Sequence, residues 1–135
     1  MAFSHGRTAV LKVSDSTSTL RDVSTYINQS GLDRTADLVD VTAFQATSKA
    51  FIAGFKDGKF TLSGFWDPTV DGYLSGIYGG TADDFEYYPA GTASGNVKYS
   101  GSAICLTYNE ASDIADANKI SAEFQVVGDV TRAVI

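Results

Sequence analysis

A two-residue alternation of apolar and polar positions dominates this chain. Residues 59–66 set Phe60, Leu62 and Trp66 against Lys59, Thr61 and Ser63. Residues 119–127 set Ile120, Ala122, Phe124 and Val126 against Lys119, Ser121, Glu123 and Gln125. Residues 97–107 separate Lys98, Ser100 and Ser102 from Tyr99, Ala103 and Cys105. Such alternation predicts strands with one face in a core and the other in water. Shorter strands are expected at 7–13, 22–27, 33–42 and 85–88, the last stopped by Pro89.

The period changes once. Asp67-Pro68 reads as a helix N-cap followed by proline at the first helical position. Val70, Tyr73, Leu74 and Ile77 then recur at helical spacing, and Gly79-Gly80 ends the element. One helix at about 68–78 is predicted. Seven or so strands with a single helix give a mainly β fold, a β-sandwich or open barrel with one flanking α-helix, in a single domain covering 1–135.

Residues 44–55 fit neither period. Phe44, Phe51 and Phe55 do not alternate, and Phe44, Lys49 and Phe55 do not share a helical face. A long loop at about 42–56 is expected, with one helical turn at 48–52 and a tight bend at Asp57-Gly58. A loop of this length is commonly functional or disordered, and its phenylalanines argue against disorder. Phe44, Lys49, Phe51, Ile52 and Phe55 are therefore candidates for contact with a partner. Polar connections are expected at 14–19, 91–96 and 109–118, and an apolar tail at 130–135.

Charge sharpens this picture. The chain carries 10 basic and 16 acidic residues, a net of −6. Residues 1–67 balance, so the excess lies in 68–135, where three basic residues face nine acidic ones. A protein that grips phosphate would show the opposite sign. The 135 residues suit one domain able to bury a core without a metal or disulfide staple. No apolar stretch approaches a membrane span, so no membrane anchoring is expected.

Catalytic raw material is scarce. Cys105 is the only cysteine and reads as a small buried hydrophobe, which excludes an intrachain disulfide and a multi-cysteine metal site. His5, the only histidine, lies in a polar N-terminal stretch and is not expected to act in catalysis. The segment 54–60 lacks the glycine spacing and the Ser/Thr of a phosphate loop. Asp83, Asp84 and Glu86 lack calcium-loop spacing and read as a solvated turn. Asn28-Gln29-Ser30 is a formal glycosylation acceptor without a signal peptide to deliver it. No catalytic residue, metal ligand or cofactor site is assigned, and an enzyme is not expected.

The order of segments is informative as a whole. Leu38-Val39-Asp40-Val41-Thr42-Ala43-Phe44 leads into Lys49-Ala50-Phe51-Ile52-Ala53-Gly54-Phe55-Lys56-Asp57, then Phe60-Thr61-Leu62-Ser63-Gly64-Phe65-Trp66-Asp67 and a helix. Phe85-Glu86-Tyr87-Tyr88-Pro89-Ala90-Gly91, Tyr99-Ser100-Gly101-Ser102-Ala103 and Ser121-Ala122-Glu123-Phe124-Gln125-Val126-Val127-Gly128 follow. Over roughly 8–132 this resembles the major tail, or tail tube, proteins of long-tailed bacteriophages and related phage-derived particles.

The resemblance implies homo-hexameric rings that stack into a tube with a continuous β-barrel as its inner wall. A long loop at about 42–56 and the terminal arms would make contacts between subunits and rings. It also implies partners such as the tape measure and tail terminator proteins, and DNA that passes through without specific binding. The location would be the virion tail, after assembly in the host bacterial cytoplasm. Thr61, Ser63, Ser121, Glu123 and Gln125 become candidates for the lumen wall, where small polar and acidic groups would not hold phosphate. The alternatives are another phage structural part, such as a head decoration or head–tail joining protein, and a carbohydrate-binding β-sandwich. The latter would use Trp66, Tyr73, Tyr78, Tyr87 and Tyr88 as stacking platforms.

Overall fold

The structure is a computed structural model that describes residues 6–135, so His5 lies outside the described residues. The described residues form seven strands: β1 (Val10–Ser14), β2 (Leu20–Asp22), β3 (Ile27–Asp40), β4 (Phe51–Phe65), β5 (Asp83–Tyr88), β6 (Val97–Ala111) and β7 (Lys119–Val134). They form one antiparallel sheet in the order β2-β1-β5-β6-β7-β4-β3. One α-helix among the described residues, α1 (Pro68–Ser75), follows β4. The fold is mainly β with one helix, as the pattern predicts, and its strands belong to one sheet rather than two.

The core gathers on the side of the sheet that the apolar positions share. Phe60, Leu62, Phe124, Ile120, Phe85 and Leu11 are all buried there. Helix α1 packs against it because Asp67 caps its first turn, the carboxylate accepting the Thr69 amide at 2.9 Å. That orientation turns Val70 and Leu74 inward, where both are fully buried, each stabilising the fold by roughly 1.5–3 kcal/mol. The helix ends at Ser75, before the glycine pair, and Gly76 occupies its C-cap. Cys105 is buried in the same core, and burial pushes its thiol up to about 11. Among the described residues no helix is long and apolar enough to cross a membrane.

Several element boundaries differ from the sequence reading, each for a local reason. Gly6–Thr8 and Ser24–Tyr26 are 3-10 turns rather than strand. Residues 51–56 are not loop: β4 begins at Phe51 and pairs with β3 down to Asp40 opposite Phe51. The helical turn expected at 48–52 is absent, and the connection shrinks to 41–50. Asp57-Gly58 is not a bend either, since the two residues sit mid-strand opposite Thr35 and Arg34. The apolar tail is the second half of β7, which continues past an irregularity at Gly128 (φ 83°) to pair Val134 with Val97.

Candidate functional site

Two surfaces remain uncovered by the subunit itself. The first is the sheet face opposite the core. Antiparallel pairing sets Thr61 opposite Glu123 and Ser63 opposite Ser121, with Lys59 opposite Gln125. Directly paired residues project to the same side. The register therefore gathers all five lumen candidates, Thr61, Ser63, Ser121, Glu123 and Gln125, on one open patch of adjoining strands, while Phe60, Leu62, Ile120, Ala122 and Phe124 face the core.

The patch is small, polar and nearly balanced in charge. Glu123, its only acid among the five candidates, lies 3.9 Å from the Lys59 ammonium. By register, Asp33 and Asp57 join Glu123 on this face, against Lys59 and Lys119. The Gln125 amide donates to the Asp57 carboxylate and to the Gly58 carbonyl, pinning β7 to β4 where their pairing ends. Most acidic residues of the second half lie elsewhere. Glu86 sits on β5, where burial would raise its carboxyl, but hydrogen bonds from Tyr88 and Lys98 outweigh that and hold it below the ordinary range. Asp71 on α1 accepts the Tyr108 hydroxyl at 2.8 Å, which depresses its pKa. Asp83 and Asp84 are likewise engaged by neighbours, Asp84 accepting the Ser102 hydroxyl.

The second surface is an arm. Beyond the point where β4 leaves β7, β3 and β4 continue as a two-stranded ribbon with both faces in solvent. Val39 pairs with Ile52 on one face, while Leu38 and Phe51 lie on the other. Leu38 is 68% exposed, Phe55 87% and Phe44 102%. A register shift between Ala36 and Leu38 places the extra residue in β4, and Gly54 lies there, where a Cβ would already meet Asp37 and Val39 at 3.0–3.1 Å. The base of the arm is steadied by the Arg34 guanidinium, 4.8 Å above the Tyr99 ring. The structure thus carries Phe44, Lys49, Phe51, Ile52 and Phe55 on one projecting element, and all five are exposed.

This arm makes the chain unusually extended. Its accessible surface is 8756 Å², whereas a compact monomer of this mass exposes ~6,800 Å². Exposed apolar side chains gathered on one element, as Leu38, Phe44 and Phe55 are here, are commonly covered by a partner. Sequence reasoning missed Leu38, Val39 and Val41 as members of the same surface. Their signal was present, an apolar run joined to the phenylalanine segment, but it is visible only once the two strands are known to pair.

The aromatic residues do not form a platform. Trp66, Tyr73 and Tyr87 pack against the core, Tyr88 is buried beside Glu86, and Tyr78 alone of the five is exposed.

No protein-family model matches the chain, and no curated protein does. Solved structures match over nearly its whole length. A chain of the virion of a native gene transfer agent particle aligns with TM-score 0.79 at 14% identity, covering 98% of this chain and 100% of that one. A chain of the sheath–tube complex of an extracellular contractile injection system aligns at 0.73 and 14% identity, covering 98% of this chain and 93% of that one. The tail tube of SPP1 aligns at 0.70 and 12% identity, covering 98% and 80%. The tail of an empty gene transfer agent particle, a C6-symmetric assembly, gives 0.77 at 12% identity over 98% and 100%. At these identities the likeness is one of architecture, and it spans the sheet, the helix and the arm together: the chain has the fold of phage tail tube proteins.

Proposed function

We propose that this protein is the structural protomer of a tail tube. Six copies close into a ring, rings stack, and the open patch bearing Thr61, Ser63, Ser121, Glu123 and Gln125 lines the channel through which a genome is delivered. The arm carrying Phe44, Lys49, Phe51, Ile52 and Phe55 is covered by neighbouring subunits. Tape measure and terminator proteins set the length of the tube, and assembly takes place in the bacterial host cytoplasm before the tube joins a virion tail.

One observation supports this reading above the rest: an apolar ribbon exposed on both faces, in a fold shared with chains of tails and tubes. Uncovered strand edges and bare phenylalanines are an aggregation liability for a monomer. Closure into a ring and stacking remove both. The nearly neutral polar patch suits a channel wall, since without a cationic cluster no counterions are released on contact with DNA.

Negative-stain microscopy of the purified protein tests the proposal. Tubes of even diameter are expected at moderate protein concentration. Closed rings that never stack would favour a head–tail joining part, and monodisperse monomer at high concentration would remove the assembly reading altogether.

A further inference from the structure

The two long hairpins turn at opposite ends of the sheet. Phe65 pairs with Lys119, so the turn at 112–118 sits at the Phe65 end of β4. The turn at 41–50 lies beyond Phe51, at the other end of a 15-residue strand, roughly 50 Å away at ~3.3 Å per residue.

Each turn presents one wholly bare apolar side chain. Phe44 is 102% exposed and Ile114 is 106% exposed. Each turn is also held in shape from within. At one end Val41 N donates to the Ala50 carbonyl at 2.9 Å, Ala50 N to the Thr42 hydroxyl at 2.8 Å, and Thr42 N to Asp40 at 2.9 Å. At the other, Ala115 N donates to the Asp113 carboxylate at 3.0 Å, and Lys119 pairs with Asp116 at 2.8 Å. Side chains presented by a pre-shaped loop lose little freedom when they are covered.

The charges of the two turns are opposite. Lys49 is the only charged residue of 41–50, while 112–118 contains Asp113 and Asp116 and no base. Two different, mutually complementary surfaces at opposite ends of one strand generate a head-to-tail contact that repeats without closing.

We propose that the 112–118 turn is the docking surface for the 41–50 turn of a second copy of this chain. Phe44 packs against Ile114 and its neighbours, and Lys49 meets Asp113, the acid left without a cationic partner in its own turn. The exposed ring of Phe65, paired opposite Lys119, adds apolar surface at the same end of the sheet. This contact rests on the tube reading and adds to it the acceptor side of the stack, and with it the polarity.

The test uses the full-length protein and two variants, Phe44→Asp and Ile114→Asp, examined by microscopy and sedimentation. Both side chains are fully in solvent, so both variants should melt at the wild-type temperature, and Ile114→Ser serves if the aspartate variant does not. Each variant alone should stop at single rings. Mixed in equal amounts they should give two-ring stacks and nothing longer, because each retains one intact half of the contact. Lys49→Asp and Asp113→Lys should each raise the protein concentration needed for stacking, and together they should bring it back toward the wild-type value. Ile114→Asp protein that forms ordinary tubes would overturn the contact. So would single variants that form double rings on their own, since that requires like turns to pair. If the wild-type protein itself forms no tubes, the tube reading fails first.

Discussion

The rings of Phe60 and Phe124 stack across the β4–β7 pair, with centroids 4.3 Å apart and planes within 10°. Phe85 closes the group at 4.6 Å from Phe60. The strand positions on either side of this stack are the ones that turn Thr61 and Glu123 to the open face. The aromatic core therefore fixes the register that composes the polar patch.

Phe60→Ala should cost about 3–5 kcal/mol, the range for removing a buried aromatic ring from a packed core. Chemical denaturation with unchanged slope would read this as a lower midpoint. A cost below about 1 kcal/mol would mean that the β4–β7 pairing does not depend on the stack.

Gly64 lies directly against the backbone of Tyr26. A Cβ at this position would fall inside the carbonyl of Tyr26 and close to the Cα of Ile27. Backbone atoms cannot rotate away as a side chain end can. Gly64→Ala should therefore reach or exceed the top of the ~1–3 kcal/mol range typical of overpacking. Gly72→Ala is the control: its Cβ meets nothing within 4 Å, so a helical glycine replaced there should stabilise by about 0.5–1 kcal/mol. Thermal melts of the two variants should move in opposite directions.

How far the sequence discloses the fold follows from burial. At 59–65 and 119–127 one side of each strand packs on the core, so apolar and polar residues must alternate, and those strands and the five patch residues are readable. Asp67-Pro68 is readable because capping is a local chemistry. At 51–57 both faces of the ribbon are in solvent, nothing enforces alternation, and an irregularity at Gly54–Phe55 shifts the phase further. Asp57-Gly58 resembles a turn for a similar reason. Here the glycine lies buried in mid-strand beside Asp33 and Val126, and the aspartate accepts from the Gln125 amide. The charge pattern misleads about location, since an acidic second half does not make an acidic patch when most of its acids sit on other elements.

Asp15 organises the turn between β1 and β2. Its carboxylate accepts from the Thr17 hydroxyl at 2.6 Å and from the Arg21 guanidinium at 2.8 Å, with the Thr17 and Thr19 amides adding further donors. The Thr17 hydroxyl foremost, then Arg21, hold its pKa far below the ordinary value of 3.8. A carboxyl depressed in the folded state stabilises that state fully above the unfolded pKa and loses the contribution as pH falls toward the folded one. Asp15→Asn should thus be less stable than wild type at pH 7. The gap between the two should narrow as the pH is lowered from about 4 toward 2, measured by urea unfolding at each pH. A gap that stays constant over that interval would show that the charge of Asp15 contributes nothing.

The patch and the channel can be connected by giving the patch a net positive charge, which it lacks. Thr61 and Ser121 are exposed on the open face, so Thr61→Lys with Ser121→Lys should leave the core untouched. Surface substitutions of this kind usually change stability by no more than ~0.5 kcal/mol. Each phosphate neutralised by the new lysines should steepen the salt dependence of DNA binding by about 0.9 in the logarithmic slope. Free subunits of the variant should consequently bind closed circular duplex DNA at low salt, where wild-type subunits do not. Tubes assembled from the same variant should not bind it, because a closed circle cannot thread a channel and the lysines have turned inward. Variant tubes that hold circular DNA as well as their free subunits do would place Thr61 and Ser121 on the outside. The channel wall would then have to be sought on another face of the sheet.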